Sequence, residues 1–469
     1  MSLNYIFVFI IAAFIIRLTP KPEIRRWLIM ICSILVVYWL QPALAIRYLD
    51  FILPTALVLI SIIGWLYGTP KADRFKKENT ITFLVVFLSI LLINLTRFLS
   101  IKGLITPSRP PQLWVFLLVA GISGLVFFFS KGKYQGAKTA YYLIFGIIIS
   151  LLVCLKSPVM QQTVIHIFDG GKIVKNTTIQ WLGFSYISFR ILHTLIDYRS
   201  KRLKDITLQE YLIFILFFPA ITAGPIDRFQ KFKTGLYQKI EPFDSKELLQ
   251  AVWRIFLGVF KKFAVADTLA IIAINNKIIW QVNDSKWILI FLYAYSFQIL
   301  FDFSGYTDIA IGIGRLMGFQ LPENFNYPYL KPNLKLFWDN WHMTLTQWFR
   351  TYYFNPISRK FRRKFRNLHV SWMVLTMQLS TMLLIGLWHG ITINFIFWGL
   401  WHGIGLFIQN RWAFWITPKL SSLERRWVKP AYHVFGVILT FHYVMLGWVW
   451  FAMPTMNDSI RVFQILFSM

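Results

Sequence analysis

Residues 338–350 read WDNWHMTLTQWFR and residues 386–403 read GLWHGITINFIFWGLWHG, with the basic run RKFRRKFR at 359–366 between them. In the first stretch His342 stands three residues after Asp339, on what reads as a polar-flanked helix rich in tryptophan. In the second, His389 lies inside a long apolar run where water is scarce. An imidazole in an apolar setting is costly unless it is hydrogen-bonded or lines a cavity, so both histidines are candidates for function. The remaining chain is expected to form the membrane-embedded body around that cavity.

Composition supports such a body. The 469 residues are 57% hydrophobic and 18% aromatic, with a mean hydropathy of +0.55. Only 15% are charged, against about 25% in soluble domains. Apolar runs approaching or exceeding the roughly 20 residues needed to cross a bilayer recur along the chain. In the first third they fall at about 3–17, 27–46, 50–67, 81–99, 111–130 and 140–156. Counted to the end, roughly 11 to 13 membrane-associated helices are expected, with 1–156 as scaffold and 157–469 as the core that carries the candidate site and the C-terminal helices, forming one compact unit. This is an all-α polytopic membrane protein.

The net charge of +29, from 49 Lys and Arg against 20 Asp and Glu, falls largely in short connections such as KPEIRR and KADRFKKEN. Positive-inside topology and anionic headgroups account for it, so membrane lipids are expected partners and nucleic acid is not. Cys32 and Cys154 sit in apolar runs without metal-ligand spacing and read as small buried hydrophobes. Residues 5–16 are apolar but follow no positive region, which reads as a short first membrane helix rather than a cleaved leader.

Polar residues enter the apolar pattern after Pro158. His193 and Asp197 are four apart, neighbours on one helix face, with Arg190 placed to join them. In YLIFILFFPAITAGPIDRFQKF (211–232), Pro219 and then Ala223-Gly224-Pro225 interrupt the run. Broken backbone at membrane depth needs cover from protein or a wet cavity, so a partly re-entrant element is expected, or else a loop between two short helices. Lys261 and Lys262 read as lysines reaching toward headgroups. Asp302, Ser304, Tyr306 and Asp308 read as a packed polar network. LPENFNYPYLKPNLKLFWDNWHM is rich in Pro and Asn and reads as an ordered, non-spanning connection.

Spacing places Asp339 where it could orient His342 or raise its pKa. Trp338, Trp341 and Trp348 would shield the pair, Thr346 offers a hydroxyl at i+4, and Gln347 and Arg350 add polar reach. An interfacial aromatic belt with an incidental histidine is the plainer alternative. For His389, Thr392 and Asn394 are expected on its own helix, with room left by Gly386 and Gly390. A neutral imidazole there suits acceptance of a hydroxyl proton, and a simple packing role is the alternative. His402 would lie about 140° from His389 on a continuous helix, which suggests packing. No HExxH, GxSxG, Walker or dinucleotide pattern occurs, so neither metal nor nucleotide is expected.

Taken together, FFPAITAGPIDRF, FDFSGYTDIAIGIGRLMGFQLPENFNYPYL, FWDNWHMTLTQWFR and GLWHG…FWGLWHG closely resemble the membrane-bound O-acyltransferase family. The similarity is to its bacterial branch of alginate O-acetyltransferases and teichoic-acid D-alanyl transfer proteins, and it covers roughly residues 180 to 410. The resemblance implies membrane helices around a central funnel, with His389 and His342 as catalytic residues. It also implies transfer of an acyl group, here expected to be acetyl, from a cytosolic thioester to an outward-facing hydroxyl of an envelope polysaccharide or glycopolymer. No tightly bound cofactor is implied; an acyl-CoA or acyl-carrier thioester is the donor.

Asp339 would tune His342, with Asn340, Thr346, Arg350 and Asn394 in support. Arg359, Lys360, Arg362, Arg363, Lys364 and Arg366 would form a cytosolic donor or carrier surface. Further partners would be an extracytoplasmic SGNH-like acyltransferase or a cytosolic carrier protein, and the location a bacterial inner membrane, crossed many times. TYYFNPISRKF departs from the acetyltransferases' pattern, so D-alanyl transfer to teichoic acid is one alternative. A non-catalytic lipid or polymer transporter is another.

Overall fold

A computed structural model describes residues 3–42, 44, 46, 48–99, 105–114, 117, 121, 138–169, 178–238, 244–416 and 428–467. Regular structure among these residues is helical, apart from one isolated antiparallel bridge between Phe325 and Trp341. Among the described residues six helices are long and apolar enough to cross a membrane: Leu49–Gly68, Lys77–Phe98, Lys138–Lys156, Ser285–Leu316, Val370–His389 and Lys429–Ala452. The chain is therefore an all-α, multi-pass membrane protein. Shorter apolar helices, Leu3–Leu18 and Leu208–Ala220, add to these. Most of the run expected at 111–130 lies outside the described residues.

The chain groups into two compact units, Met1–Trp253 with Ala310–Leu321, and Arg254–Ile309 with Pro322–Met469.

In the first unit, helix Leu208–Leu216 shows why its neighbourhood folds as it does. It starts at a capping box, in which Thr207 Oγ1 accepts the Glu210 N–H and the Glu210 carboxylate accepts the Thr207 N–H. This reciprocal pair satisfies two of the helix's unpartnered donors. The helix stops because Pro219 has no N–H to give the carbonyl of Ile215, four residues back. Arg190, itself buried, supplies the missing donors to Phe214 O at 3.2 Å, Ile215 O at 3.0 Å and Ala220 O at 2.8 Å. A guanidinium at a helix C-terminus also meets the negative end of the helix dipole.

The broken element is thus present, and helix Phe229–Tyr237 resumes after it. Arg190, however, serves that break through these three carbonyls. The carboxylate of Asp197 pairs with Arg202 at 3.0 Å and accepts from Gln230 at 3.2 Å.

In the second unit the two carboxylates of Ser285–Leu316, Asp302 and Asp308, are paired with cations. Asp308 accepts from Arg254 and Lys261, both at 2.6 Å, while Lys262 pairs with Asp267 and Asp302. Lys261 therefore holds the buried carboxylate of Asp308, while the carboxylates that Lys262 meets are half exposed. A buried carboxylate needs a counter-charge more than a surface lysine needs lipid.

Arg190→Met is expected to destabilise the protein by about 3 kcal/mol, because three buried carbonyls lose a charged donor. The measurement is the thermal midpoint in detergent; Arg190→Lys should recover only part of the loss.

Candidate active site

His389 is the last residue of helix Val370–His389. The chain turns at Gly390–Thr392 and returns as helix Ile393–Trp415. The two arms pack closely because glycines face backbone. A Cβ on Gly386 would strike the Phe395 carbonyl oxygen, and one on Gly399 would stand 2.8 Å from the Met382 carbonyl oxygen. Real Cβ atoms do not come so near, so only glycine permits this approach.

The turn overturns two expectations built on a continuous helix. Thr392 and Asn394 lie beyond it, and the angle reckoned from His389 to His402 does not apply. Asn394 is buried and donates to Met453 O at 2.7 Å, Thr455 O at 3.1 Å and Ser459 Oγ at 3.2 Å. It braces the hairpin against the C-terminal helices. His389 is half-buried among the rings of Trp388 (4.6 Å between centroids), Phe451 (4.9 Å) and Trp398 (5.6 Å). Trp398 in turn contacts the buried His402 at 4.9 Å, so one indole lies against both histidines.

His342 is not helical. Helix Leu334–Asn340 ends before it, Trp341 is extended, and His342 adopts a left-handed conformation (φ 43°, ψ 53°) before helix Met343–Phe349 begins. The cause lies in the Asn-rich connection. Asn326 N–H donates to Asn340 O at 3.1 Å and Met343 N–H to Asn324 O at 2.9 Å, around the Phe325–Trp341 bridge. This pairing draws the chain out of helix between Asn340 and Met343.

The expected Asp339–His342 pair consequently does not form. Asp339 accepts from Arg350 and, at 3.2 Å, from Lys335. Burial pushes its carboxyl up, but Arg350 and then Lys335 outweigh that and hold it below the ordinary carboxylate range. His342 instead meets Asn324 Oδ1 through Nδ1 at 3.2 Å. Its ring stands perpendicular to Phe303 at 4.6 Å and lies 6.3 Å from Trp388. Burial first, and then the charge of neighbouring His389, lower its pKa well below the usual histidine value. Both effects favour the neutral imidazole.

A cleft of about 370 Å³ opens within this unit. Asp339, Thr346 and Arg350 line one side; Gln378, Met382 and Ile385 line another. On helix Val370–His389, His389 follows Met382 by seven residues and Gln378 by eleven, within about 20° of each on the helix circumference. His389 thus shares the helix face that walls the cleft, roughly one to two turns beyond the last lining residue, Ile385; neither His389 nor His342 itself lines the cleft. Asn340 plays no part in this wall; its side chain donates to Leu336 O at 2.8 Å. From the cleft residue Asn355 starts helix Asn355–Lys364, which carries exposed Arg359, Lys360, Arg362, Arg363 and Lys364, with exposed Arg366 just beyond it. Among the described residues no three His, Cys, Asp or Glu side chains gather as metal ligands would.

The family model of the membrane-bound O-acyltransferases matches residues 177–450. The chain belongs to that family. Among its relatives is the teichoic acid D-alanyltransferase of Bacillus subtilis, 29% identical over 86% of this chain and 96% of that protein. The teichoic acid D-alanyltransferase of Streptococcus thermophilus is 30% identical over 70% of this chain and 80% of that protein. A Pseudomonas aeruginosa protein named "probable alginate O-acetylase" is 30% identical over 61% of this chain and 51% of its own. This membrane-bound O-acyltransferase family member thus has general acyl-transfer activity as its biochemical setting.

Asn324 and Trp398 were not singled out from sequence. The signal for Asn324 was present in the PENFN stretch, but only the fold shows which asparagine turns toward His342.

Gly386→Val is expected to drive the hairpin arms apart at a cost of about 1–3 kcal/mol. The check is the yield of monodisperse protein and its thermal midpoint, both of which should fall.

Proposed function

We propose that this family member transfers an acyl group from a cytosolic thioester to a hydroxyl of a cell-envelope glycopolymer. The observation that carries the reading is the cleft lined by Gln378, Met382 and Ile385, on the helix whose last residue, on the same face as Gln378 and Met382, is His389. A thioester arm laid along Gln378, Met382 and Ile385 would present its carbonyl at the end of that stripe. His389 takes the acceptor hydroxyl's proton while the oxygen attacks the thioester carbonyl carbon. The carbon–sulfur bond then breaks with its electron pair on sulfur, and the thiolate receives a proton from the imidazolium. A thioester is already activated, so positioning supplies much of the rate.

Acetyl is the acyl group first suggested by the sequence. The extent of the matches favours a second reading, D-alanyl from a carrier protein. The relatives named as D-alanyltransferases align over 96% and 80% of their lengths, and the Pseudomonas aeruginosa protein over 51% of its own. The acid-free helix Asn355–Lys364 would suit an acidic carrier. An SGNH-like partner would instead accompany acetyl transfer.

The test uses wild type and His389→Gln in proteoliposomes, supplied with acetyl-CoA or an aminoacylated carrier protein. Acyl transfer to glycopolymer should fall about 10²–10⁴-fold in His389→Gln. Undiminished acylation, or polymer transport with no acylation by wild type, would contradict the reading.

Replacing Arg359, Arg362 and Arg363 by Gln should weaken a carrier-dependent reaction about tenfold and reduce its salt sensitivity. Acetyl-CoA should be used unchanged. A carrier reaction indifferent to these replacements would remove the helix as a docking surface.

A further inference from the structure

Asn324 is fully buried, and its side-chain oxygen faces three groups: the Thr344 N–H at 3.1 Å, the Thr344 hydroxyl at 2.8 Å and His342 Nδ1 at 3.2 Å. A backbone N–H only donates, so the atom opposite it is the amide oxygen and not the NH₂ group. Reversing the amide would set two donors against each other. Since that oxygen only accepts, Nδ1 of His342 must carry the hydrogen. In a neutral imidazole the other nitrogen, Nε2, then holds the lone pair.

We infer that Asn324 is a positioning residue that fixes His342 as its Nδ1–H tautomer, making Nε2 a hydrogen-bond acceptor in the proposed acyl transfer. The tautomer itself follows from the hydrogen bonds; its use in the reaction rests on the proposed function. One consequence narrows the mechanism. Nε2 bears no hydrogen in the resting protein, so His342 cannot protonate the leaving thiolate there unless it has first taken up a proton. It serves by accepting, whether from the hydroxyl or from a group that orients it. The same oxygen holds the start of helix Met343–Phe349 through Thr344, tying the tautomer to the element whose C-terminal end bears Arg350.

The direct test is ¹⁵N spectroscopy of full-length, histidine-labelled protein in detergent or nanodiscs, with His342→Gln used to assign the signal among the eight histidines. The expected shifts are those of protonated Nδ1 and unprotonated Nε2. The Nε2–H form, or an even mixture, overturns the inference. No substrate is needed, so this result stands or falls apart from acyl transfer.

Asn324→Asp supplies a second measurement. A carboxylate facing Nδ1–H would stabilise the imidazolium and raise the His342 pKa, opposing the effects of burial and of His389, the neighbouring titratable group whose charge bears on it. Activity that needs a neutral acceptor would then fail at higher pH. The acid limb of kcat should move up by about 1–2 units, with KM little changed. Asn324→Leu should lose about 10–100-fold in kcat and no longer hold one tautomer. A folded Asn324→Leu protein with full kcat and an unshifted Asn324→Asp profile would reduce Asn324 to a structural support. Acyl transfer absent from wild type would sink the proposed function and leave the tautomer result intact.

Discussion

The site depends on the close contact between helices Val370–His389 and Ile393–Trp415. Helix packing in a membrane gains little from hydrophobicity, because lipid is as apolar as the side chains, so close backbone approach and van der Waals contact must do more. Gly386 and Gly399 allow that approach where any Cβ would meet a carbonyl of the opposite arm. The short turn then brings Trp398 beside His389 and leaves the Gln378–Ile385 face walling the cleft. Asn394 holds the turn to the end of the chain by spending its donors on two carbonyls and a hydroxyl. A half-buried imidazole at the end of a membrane helix follows from this packing.

A second constraint is the pairing of the Asn-rich connection with residues 340–343. It interrupts helix between Asn340 and Met343 and separates the fates of two residues close in sequence. Asp339 remains at the cleft with Arg350 and Lys335, ionised and near the protein surface. His342 turns inward to Asn324, where burial favours its neutral form. The site thus keeps its charged groups at the cleft wall and an uncharged imidazole at depth. That division suits a reaction needing recognition of a polar donor outside and proton acceptance inside.

Much of this was legible in the sequence where a residue's chemistry alone decides its environment. Long apolar runs marked the membrane helices, and Pro219 marked the end of helix Leu208–Leu216 because the missing N–H is local to the chain. The prominence of His389 and His342 followed from the cost of an imidazole in apolar surroundings. Their partners were another matter. An i,i+3 spacing implies contact only if the helix continues, and the pairing of Asn340 and Met343 with residues 326 and 324 comes from another segment. Likewise Arg190 reads as a member of the His193 face, and only the fold shows that it also donates to the carbonyls beside the Pro219 break. Gly390 reads as room beside His389, because periodicity cannot tell a glycine within a helix from one that ends it.

The claim that the cleft delivers a thioester to His389 meets its most direct test in a cryo-electron microscopy structure with a stable thioether analogue of the donor. The account predicts density between Arg350 and Ile385, following the Gln378–Met382 face, with the carbonyl of the analogue within hydrogen-bond reach of the His389 ring or of a hydroxyl held by it. Density for the analogue elsewhere, with this cleft occupied by lipid and His389 remote from the acyl carbon, would contradict it.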